Sequence, residues 1–314
     1  MRKVQVIVFI AAWGSLLSHA QLKPIPYGDF ETWSVHYIQE SRLMGGQLSP
    51  IYIPAPTDTL ISNKAYQYAD PKDMWTTSNG YVEILKICKT SLSVMPDVQD
   101  DAYHGTACKM VVKQQDVVVL GLDVHFIMAG TLYAGRTHEP FIPFGDNDLN
   151  IEFGFPIEGC PQAVVFDYKA EVSPDSTLTQ CKALGKAKLI KGFDCPKVYC
   201  LLQRRWEDDK GNIYAERVGT AQMYVTESTD WVDGFVLRIK YGEVTNPTRH
   251  ERLQSWMHQM NSKGRNVPVK EVGWAAEGTQ PTHICLSFAA SCLDQGGTGH
   301  LGNAFWVDNI GLLY

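Results

Sequence analysis

The chain consists largely of short runs rich in Val, Ile, Tyr, Phe and Thr, which Gly, Pro, Asn and Asp interrupt every few residues. Such runs, separated by turn residues, predict many short β-strands rather than helices. The runs that read most clearly as strands are 81–87, 107–112, 117–122, 149–155, 163–172, 198–205, 221–226, 232–241, 283–288 and 305–312. This pattern predicts an all-β fold, an antiparallel β-sandwich that is jelly-roll-like and has long loops.

Residues 163–172 show the alternation that a sandwich strand requires. Phe166 and Tyr168 alternate with Asp167 and Lys169. Because successive side chains of a strand point to opposite faces, the aromatic residues are predicted to face the core and the charged ones to face solvent.

A turn is predicted at 208–212, between strand-like runs at 198–206 and 213–217. Its sequence, Asp-Asp-Lys-Gly-Asn, is typical of a hairpin connection, because Gly211 can adopt a positive φ angle at no steric cost.

Residues 253–263 are the one segment with helical periodicity. Leu253, Trp256, Met257 and Met260 follow the spacing i, i+3, i+4, i+7 and would share one face of a helix. The sequence therefore predicts one short helix here.

The first twenty residues resemble a secretory signal peptide. Arg2 and Lys3 precede an apolar run over 4–17, and Ala20 ends a small-residue cleavage pattern. An uncleaved anchor is the alternative, but the run is short for a spanning helix. We therefore predict a protein exported to the periplasm, cell surface or extracellular space, with 21–314 forming a single β-sandwich domain without a membrane span.

The charge of the chain argues against nucleic-acid binding. Removing Arg2 and Lys3 with the signal segment changes the formal net charge from −6 to −8. An acidic surface repels phosphate backbones, so no nucleic-acid partner is expected.

All eight cysteines lie after residue 20, and an oxidising compartment would allow them to form disulfides. The sequence-near pairs Cys195/Cys200 and Cys285/Cys292 are candidates, although sequence leaves the pairing open. Zinc binding and simple buried thiols are the alternatives, and the chain lacks the C-x-x-C spacing of zinc sites.

Four segments in order resemble a known family. They are 28–33 (GDFETW), 129–135 (AGTLYAG), 153–156 (FGFP) with the following FDYKA strand, and 302–310 (GNAFWVDNI). This order is similar to the "putative carbohydrate metabolism" domain of secreted Bacteroidetes proteins. The resemblance covers nearly all of 28–314, although Asn309 replaces an Asp of the family pattern and 249–280 looks like an insertion. It implies a jelly-roll-like fold similar to carbohydrate-binding modules.

The two chain ends suggest a metal site. Jelly-roll binding modules often place the first strand beside the last, which would bring Glu31 and Asp308 together. Both offer the oxygen ligands that Ca²⁺ prefers, so a structural Ca²⁺ is predicted between them. The alternative is that the two acids cap strands or pair with basic side chains.

Exposed tryptophans are the candidate ligand platforms, because the flat C–H faces of sugar rings pack on indole rings. Trp33 and Trp306 lie inside the end motifs and are predicted to be core. Core packing is the alternative role for every candidate. The tryptophans with polar surroundings or at a strand end are Trp75, Trp231, Trp274 and Trp206.

No sequence signature of catalysis is present. The chain has no G-x-S-x-G, no H-E-x-x-H and no phosphate-binding loop, and its acids show no spacing that defines a glycosidase pair. No catalytic residue is therefore predicted. The leading hypothesis is an exported, non-catalytic glycan-binding or glycan-associated protein with a carbohydrate partner. The alternatives are a polysaccharide-acting hydrolase or lyase, and a structural or adhesive protein with a cell-surface protein partner.

Overall fold

The computed structural model describes residues 21–68, 73–84, 86–119, 122–141, 150–181, 186–249, 251–293 and 297–314. The predicted signal segment and the middle of the predicted strand 117–122 lie outside these ranges. Within them, no helix is long and apolar enough to cross a membrane.

The regular secondary structure of the described residues is almost entirely β, and its helical part is a 3₁₀ turn at Arg42–Met44. This confirms the all-β prediction. The strands are β1 Leu22–Pro24, β2 Trp33–Gln39, β3 Leu48–Pro54, β4 Asp58–Ile61, β5 Trp75–Thr77, β6 Gly80–Ile84, β7 Ile87–Ser91, β8 Val94–Val98, β9 Thr106–Val119, β10 Leu122–Ala129, β11 Thr131–Thr137, β12 Ile151–Phe153, β13 Phe155–Pro156, β14 Ala163–Glu171, β15 Thr177–Gln180, β16 Lys188–Lys191, β17 Lys197–Glu207, β18 Ile213–Tyr224, β19 Thr229–Arg238, β20 Lys240–Tyr241, β21 His258–Met260, β22 Asn266–Trp274, β23 His283–Ala289, β24 Thr298–Gly299 and β25 Ala304–Leu313.

Two large sheets dominate the fold. The first has the order β10-β9-β25-β14-β19, with β1 paired to β25 and β8 paired to β9. The second has the order β12-β11-β23-β17-β18-β22-β21, and β5, β13 and β20 pair with its members. Pairing is antiparallel except between β18 and β22 and between β2 and β4.

The two large sheets pack their apolar faces together, which makes the fold a β-sandwich as predicted. Phe166 of β14 and Phe288 of β23 meet edge to face with ring centroids 5.1 Å apart, and both are fully buried. Tyr168 joins the same core, as the alternation along β14 predicted. Burying each such side chain contributes about 1.5–3 kcal/mol, so this shared core holds the sheets together.

The two ends of the described chain meet on the first sheet. β1 pairs with β25, and beyond it the amide of Ile310 donates to the carbonyl of Gly28 at 2.9 Å. A Cβ at Gly28 would lie 3.0 Å from the Ile310 carbonyl oxygen, so the close approach favours glycine. The first-beside-last arrangement therefore forms as predicted.

The predicted helix at 253–263 is wrong. The segment is irregular up to β21, whose His258 pairs with Pro268 of β22. The backbone amide of Gln254 donates to the Glu271 carboxylate at 2.6 Å, and the Gln254 backbone carbonyl accepts from the backbone amide of Glu271 at 3.0 Å. Met257 is buried while Trp256 is 37% exposed, so the apolar residues do not share one face. Tertiary hydrogen bonds override the helical periodicity.

All eight cysteines are free thiols in the structure. Neither sequence-near pair is brought together, because residues of β17 and β23 form most of the chain between the partners and are extended. Cys195 instead contacts Cys292, and the hydrogen bond between the two thiols raises the pKa of Cys195.

Candidate functional site

The β17–β18 hairpin is built on a turn with the predicted chemistry. The Asp208 carboxylate accepts hydrogen bonds from the amides of Lys210 at 3.0 Å and Asn212 at 2.8 Å, and Gly211 has a φ angle of 87°. This turn sets the register in which Trp206 lies opposite Tyr214.

The outer part of this hairpin carries two stacked aromatic rings, of which Trp206 is exposed and Tyr214 is half-buried. Trp206 is 40% exposed, and its ring stacks beside that of Tyr214 with centroids 5.9 Å apart and an angle of 25° between the planes. The period of two along β17 puts Arg204 on the same face as Trp206. Trp206 and Tyr214 together form what we call the aromatic platform.

Charged side chains border the aromatic platform. Arg204 Nη1 lies 3.3 Å from Glu216 Oε2, and the two side chains are 55% and 31% exposed. Lys270 of β22 lies beside Tyr214 in the register and is exposed. An exposed ion pair of this kind is worth about 0–1 kcal/mol, so these groups can exchange partners with a ligand at little cost.

A buried polar network on the opposite face stiffens the hairpin. The Arg205 guanidinium donates to the Phe153 carbonyl at 2.7 Å, to Gln203 Oε1 at 2.8 Å and to the Cys285 sulfur at 2.9 Å. Because Arg205 is only 8% exposed, these bonds anchor the backbone between Arg204 and Trp206.

Trp75 does not provide a platform, contrary to the sequence prediction. It is 0% exposed, its Nε1 donates to the Pro26 carbonyl at 3.0 Å, and its ring lies 6.2 Å from that of Phe30. The polar neighbours that suggested a loop are buried too, since Thr76 bonds Thr137 at 2.8 Å inside the protein. Trp33 and Trp306 are buried as expected.

Trp274 and Trp231 are half-buried. The Arg217 guanidinium lies over the Trp274 ring, with Arg217 Cζ 5.6 Å from the ring centroid. Trp231 stacks on the His104 ring with centroids 3.9 Å apart and an angle of 11° between the planes. Both are less exposed than Trp206, which at 40% is the most exposed of the four candidates.

Glu31 and Asp308 are brought into one acidic region where the chain ends meet. Glu31 Oε1 accepts from the amide of Thr106 at 2.9 Å. Burial raises the pKa of Asp308 to about 8, the Asn309 amide opposes the rise, and the Asp167 and Glu31 carboxylates add to it. This concentration of carboxyl groups is compatible with a cation, and Ca²⁺ on Glu31 and Asp308 stays a prediction.

A second group in this region was missed by sequence reasoning. One ligand atom from each of His104, Asp167 and Asp233 lies within 4.8 Å of the others. The three residues come from distant parts of the chain, and the sequence signal was limited to an acid beside Trp231 and a His in a turn.

Comparisons with known proteins give limited information. No family model matches the chain, and no curated protein matches it. One solved structure, described as a "putative glycoside hydrolase" from Bacteroides thetaiotaomicron, has a TM-score of 0.43 at 14% identity and aligns with 72% of this chain. Another with the same description, from Bacteroides vulgatus, has a TM-score of 0.40 at 12% identity, with 79% of this chain and 97% of that chain covered.

The chain spans 58% of the length of the first of these structures. Both TM-scores lie below 0.5.

Proposed function

We propose that this protein is exported and binds a glycan on the aromatic platform of Trp206 and Tyr214 without cleaving it. The observation that carries the proposal is the exposed Trp206 ring, stacked on a half-buried Tyr214 on a stiff hairpin. Rings fixed in one orientation lose little entropy when a ligand packs on them. A sugar ring offers the flat C–H face that matches them.

The border of the platform favours a polyhydroxyl ligand over a protein. A protein-docking surface is expected to be a contiguous apolar patch, usually of several hundred Å². Here Arg204, Glu216 and Lys270 surround two rings. These groups can donate to and accept from sugar hydroxyls, which supports a glycan rather than an adhesive protein contact.

The same border favours binding over hydrolysis. Glycosidases place two carboxyl groups on either side of the scissile bond. At the platform, Glu216 shares a face with the two rings. Glu207, the residue after Trp206 in β17, points to the opposite face and accepts hydrogen bonds from the hydroxyl and amide of Ser262 at 2.6 and 2.9 Å. These two carboxylates therefore do not flank the rings as a pair, which supports a binding role.

We expect Trp206→Ala to lose at least about tenfold in glycan affinity, equivalent to about 1.4 kcal/mol, because the larger ring of the platform is removed. Tyr214→Ala should lose less. Affinity electrophoresis of the wild type and both variants against a panel of soluble neutral and acidic polysaccharides measures the effect. The melting temperature reports whether folding is intact.

Trp256→Ala is the matched control. Trp256 is 37% exposed, close to the 40% of Trp206, but it packs edge to face on Phe153 and away from the platform. It should retain wild-type retardation. The proposal is wrong if no polysaccharide retards the wild type, or if Trp206→Ala migrates like the wild type in every gel.

A further inference from the structure

His104 is oriented by an acid in its own turn. Its Nδ1 lies 3.0 Å from both carboxylate oxygens of Asp101, and its backbone amide donates to the same carboxylate at 2.8 Å. This contact places the proton of a neutral imidazole on Nδ1. The other nitrogen, Nε2, then presents a lone pair.

This nitrogen lies close to two acids. His104 is 4% exposed, and Nε2 makes no hydrogen bond with any residue that the structure describes. It lies 3.2 Å from Asp233 Oδ1 and 4.0 Å from Asp167 Oδ2, without the alignment of a hydrogen bond. An unprotonated nitrogen buried this close to two carboxylates is repelled by them, and a cation among the three atoms reverses the sign of the interaction.

Irregular pairing places the two acids. The β14–β19 register shifts between Phe166 and Tyr168, which positions Asp233 and Gly234 opposite Asp167. The Gly234 amide donates to Asp167 Oδ1 at 2.5 Å, and Asn309 Nδ2 donates to Asp167 Oδ2 at 2.8 Å. Metal-binding carboxylates and imidazoles are typically held in this way by outer hydrogen bonds, and Asp101 does the same for His104.

Aromatic packing holds the imidazole plane. Trp231 covers one face of the His104 ring at 3.9 Å, and Tyr103 meets it edge to face at 4.9 Å. An imidazole that is held in this way by two rings loses little conformational freedom when its nitrogen coordinates an ion.

We propose that His104 Nε2, Asp167 and Asp233 bind one divalent transition-metal ion of the zinc class. Two ligand atoms bound at 2.0–2.1 Å to a tetrahedral ion lie about 3.3 Å apart. The Nε2–Asp233 separation of 3.2 Å matches this value, whereas the Nε2–Asp167 separation of 4.0 Å has to shorten when the ion binds. Imidazole is a ligand of Zn²⁺ and its neighbours, whereas Ca²⁺ takes oxygen ligands. The Asp233 side chain is 60% exposed, which leaves a fourth position open to water.

Isothermal titration of metal-free, tag-free protein with ZnCl₂ tests the proposal. A Cys160→Ser background removes the exposed thiol that could bind zinc elsewhere. We expect one Zn²⁺ per chain, a rise in melting temperature on saturation, and clearly weaker binding of Ca²⁺ and Mg²⁺. His104→Gln and Asp233→Asn should each weaken Zn²⁺ binding by at least about tenfold.

Asp230→Asn is the matched control, because Asp230 is an exposed acid on the same strand but outside the group. It should leave the affinity unchanged. Asp233→Asn changes an exposed side chain and should fold normally, so it keeps the test valid if His104→Gln does not fold. The proposal is overturned if Zn²⁺ does not bind, if Asp233→Asn binds it as tightly as the wild type, or if Ca²⁺ binds more tightly than Zn²⁺.

Discussion

Trp75→Ala is expected to lower the free energy of unfolding by about 3–5 kcal/mol, because it leaves a large cavity in the core. Trp75 is fully buried, and its ring lies within 6.2 Å of Phe30 and 6.4 Å of Phe288, measured between centroids. The substitution also removes the donor that satisfies the Pro26 carbonyl. Equilibrium urea unfolding of the purified variant measures the loss.

Trp206→Ala is the comparison for this effect. Its ring is 40% exposed, and its main aromatic contact is Tyr214, so the loss should be about 1 kcal/mol or less. Of these two predicted platform residues, Trp75 is thus a core residue, and Trp206 remains the proposed glycan platform. Equal losses for the two variants would contradict the assignment of Trp75 to the core.

Glu271→Gln is expected to cost about 3–5 kcal/mol of stability, because it leaves the buried Arg217 guanidinium without its counter-charge. The two side chains are 0% exposed, and Arg217 Nη2 lies 2.5 Å from Glu271 Oε2. Gln203 Nε2 and the Gln254 amide also donate to this carboxylate, both at 2.6 Å. A glutamine has only one acceptor oxygen for these donors. Urea unfolding provides the measurement.

Glu216→Gln is the matched control, because Glu216 is the neighbour of Arg217 on β18 but pairs with Arg204 in solvent. It should cost less than about 1 kcal/mol. A single-variant loss as small as that of the control would show that Glu271 is not desolvated.

The sequence predicted the architecture because strands carry a local signal. The alternation at Phe166 and Tyr168 identified core positions, and the Asp208 and Gly211 turn identified the hairpin. Both signals arise from neighbouring residues and need no knowledge of distant contacts.

The failures arose where distant contacts decide the outcome. The periodicity around Met257 indicated a helix, but hydrogen bonds to Glu271, far along the chain, hold this segment in irregular structure. The polar neighbours of Trp75 suggested exposure, but Thr76 finds its partner in Thr137 inside the protein. A polar residue indicates a surface only when the fold offers it no internal partner.

The group of His104, Asp167 and Asp233 could not be read from the sequence for the same reason. Alternation along β14 predicted a solvent-facing Asp167, whereas the structure buries it to 2% exposure beside a register shift. A β-bulge depends on the pairing partner, which a single strand sequence does not reveal.

The central claim is that a glycan meets this protein at Trp206. The predicted mature chain contains seven tryptophans, and each gives one indole N–H signal in a proton–nitrogen correlation spectrum. Trp206→Phe identifies the Trp206 signal, and the spectrum is then titrated with a polysaccharide that retards the protein. The account predicts that the Trp206 signal shifts most and saturates with the ligand. A saturating shift of Trp231, Trp256 or Trp274 with an unchanged Trp206 signal would contradict it.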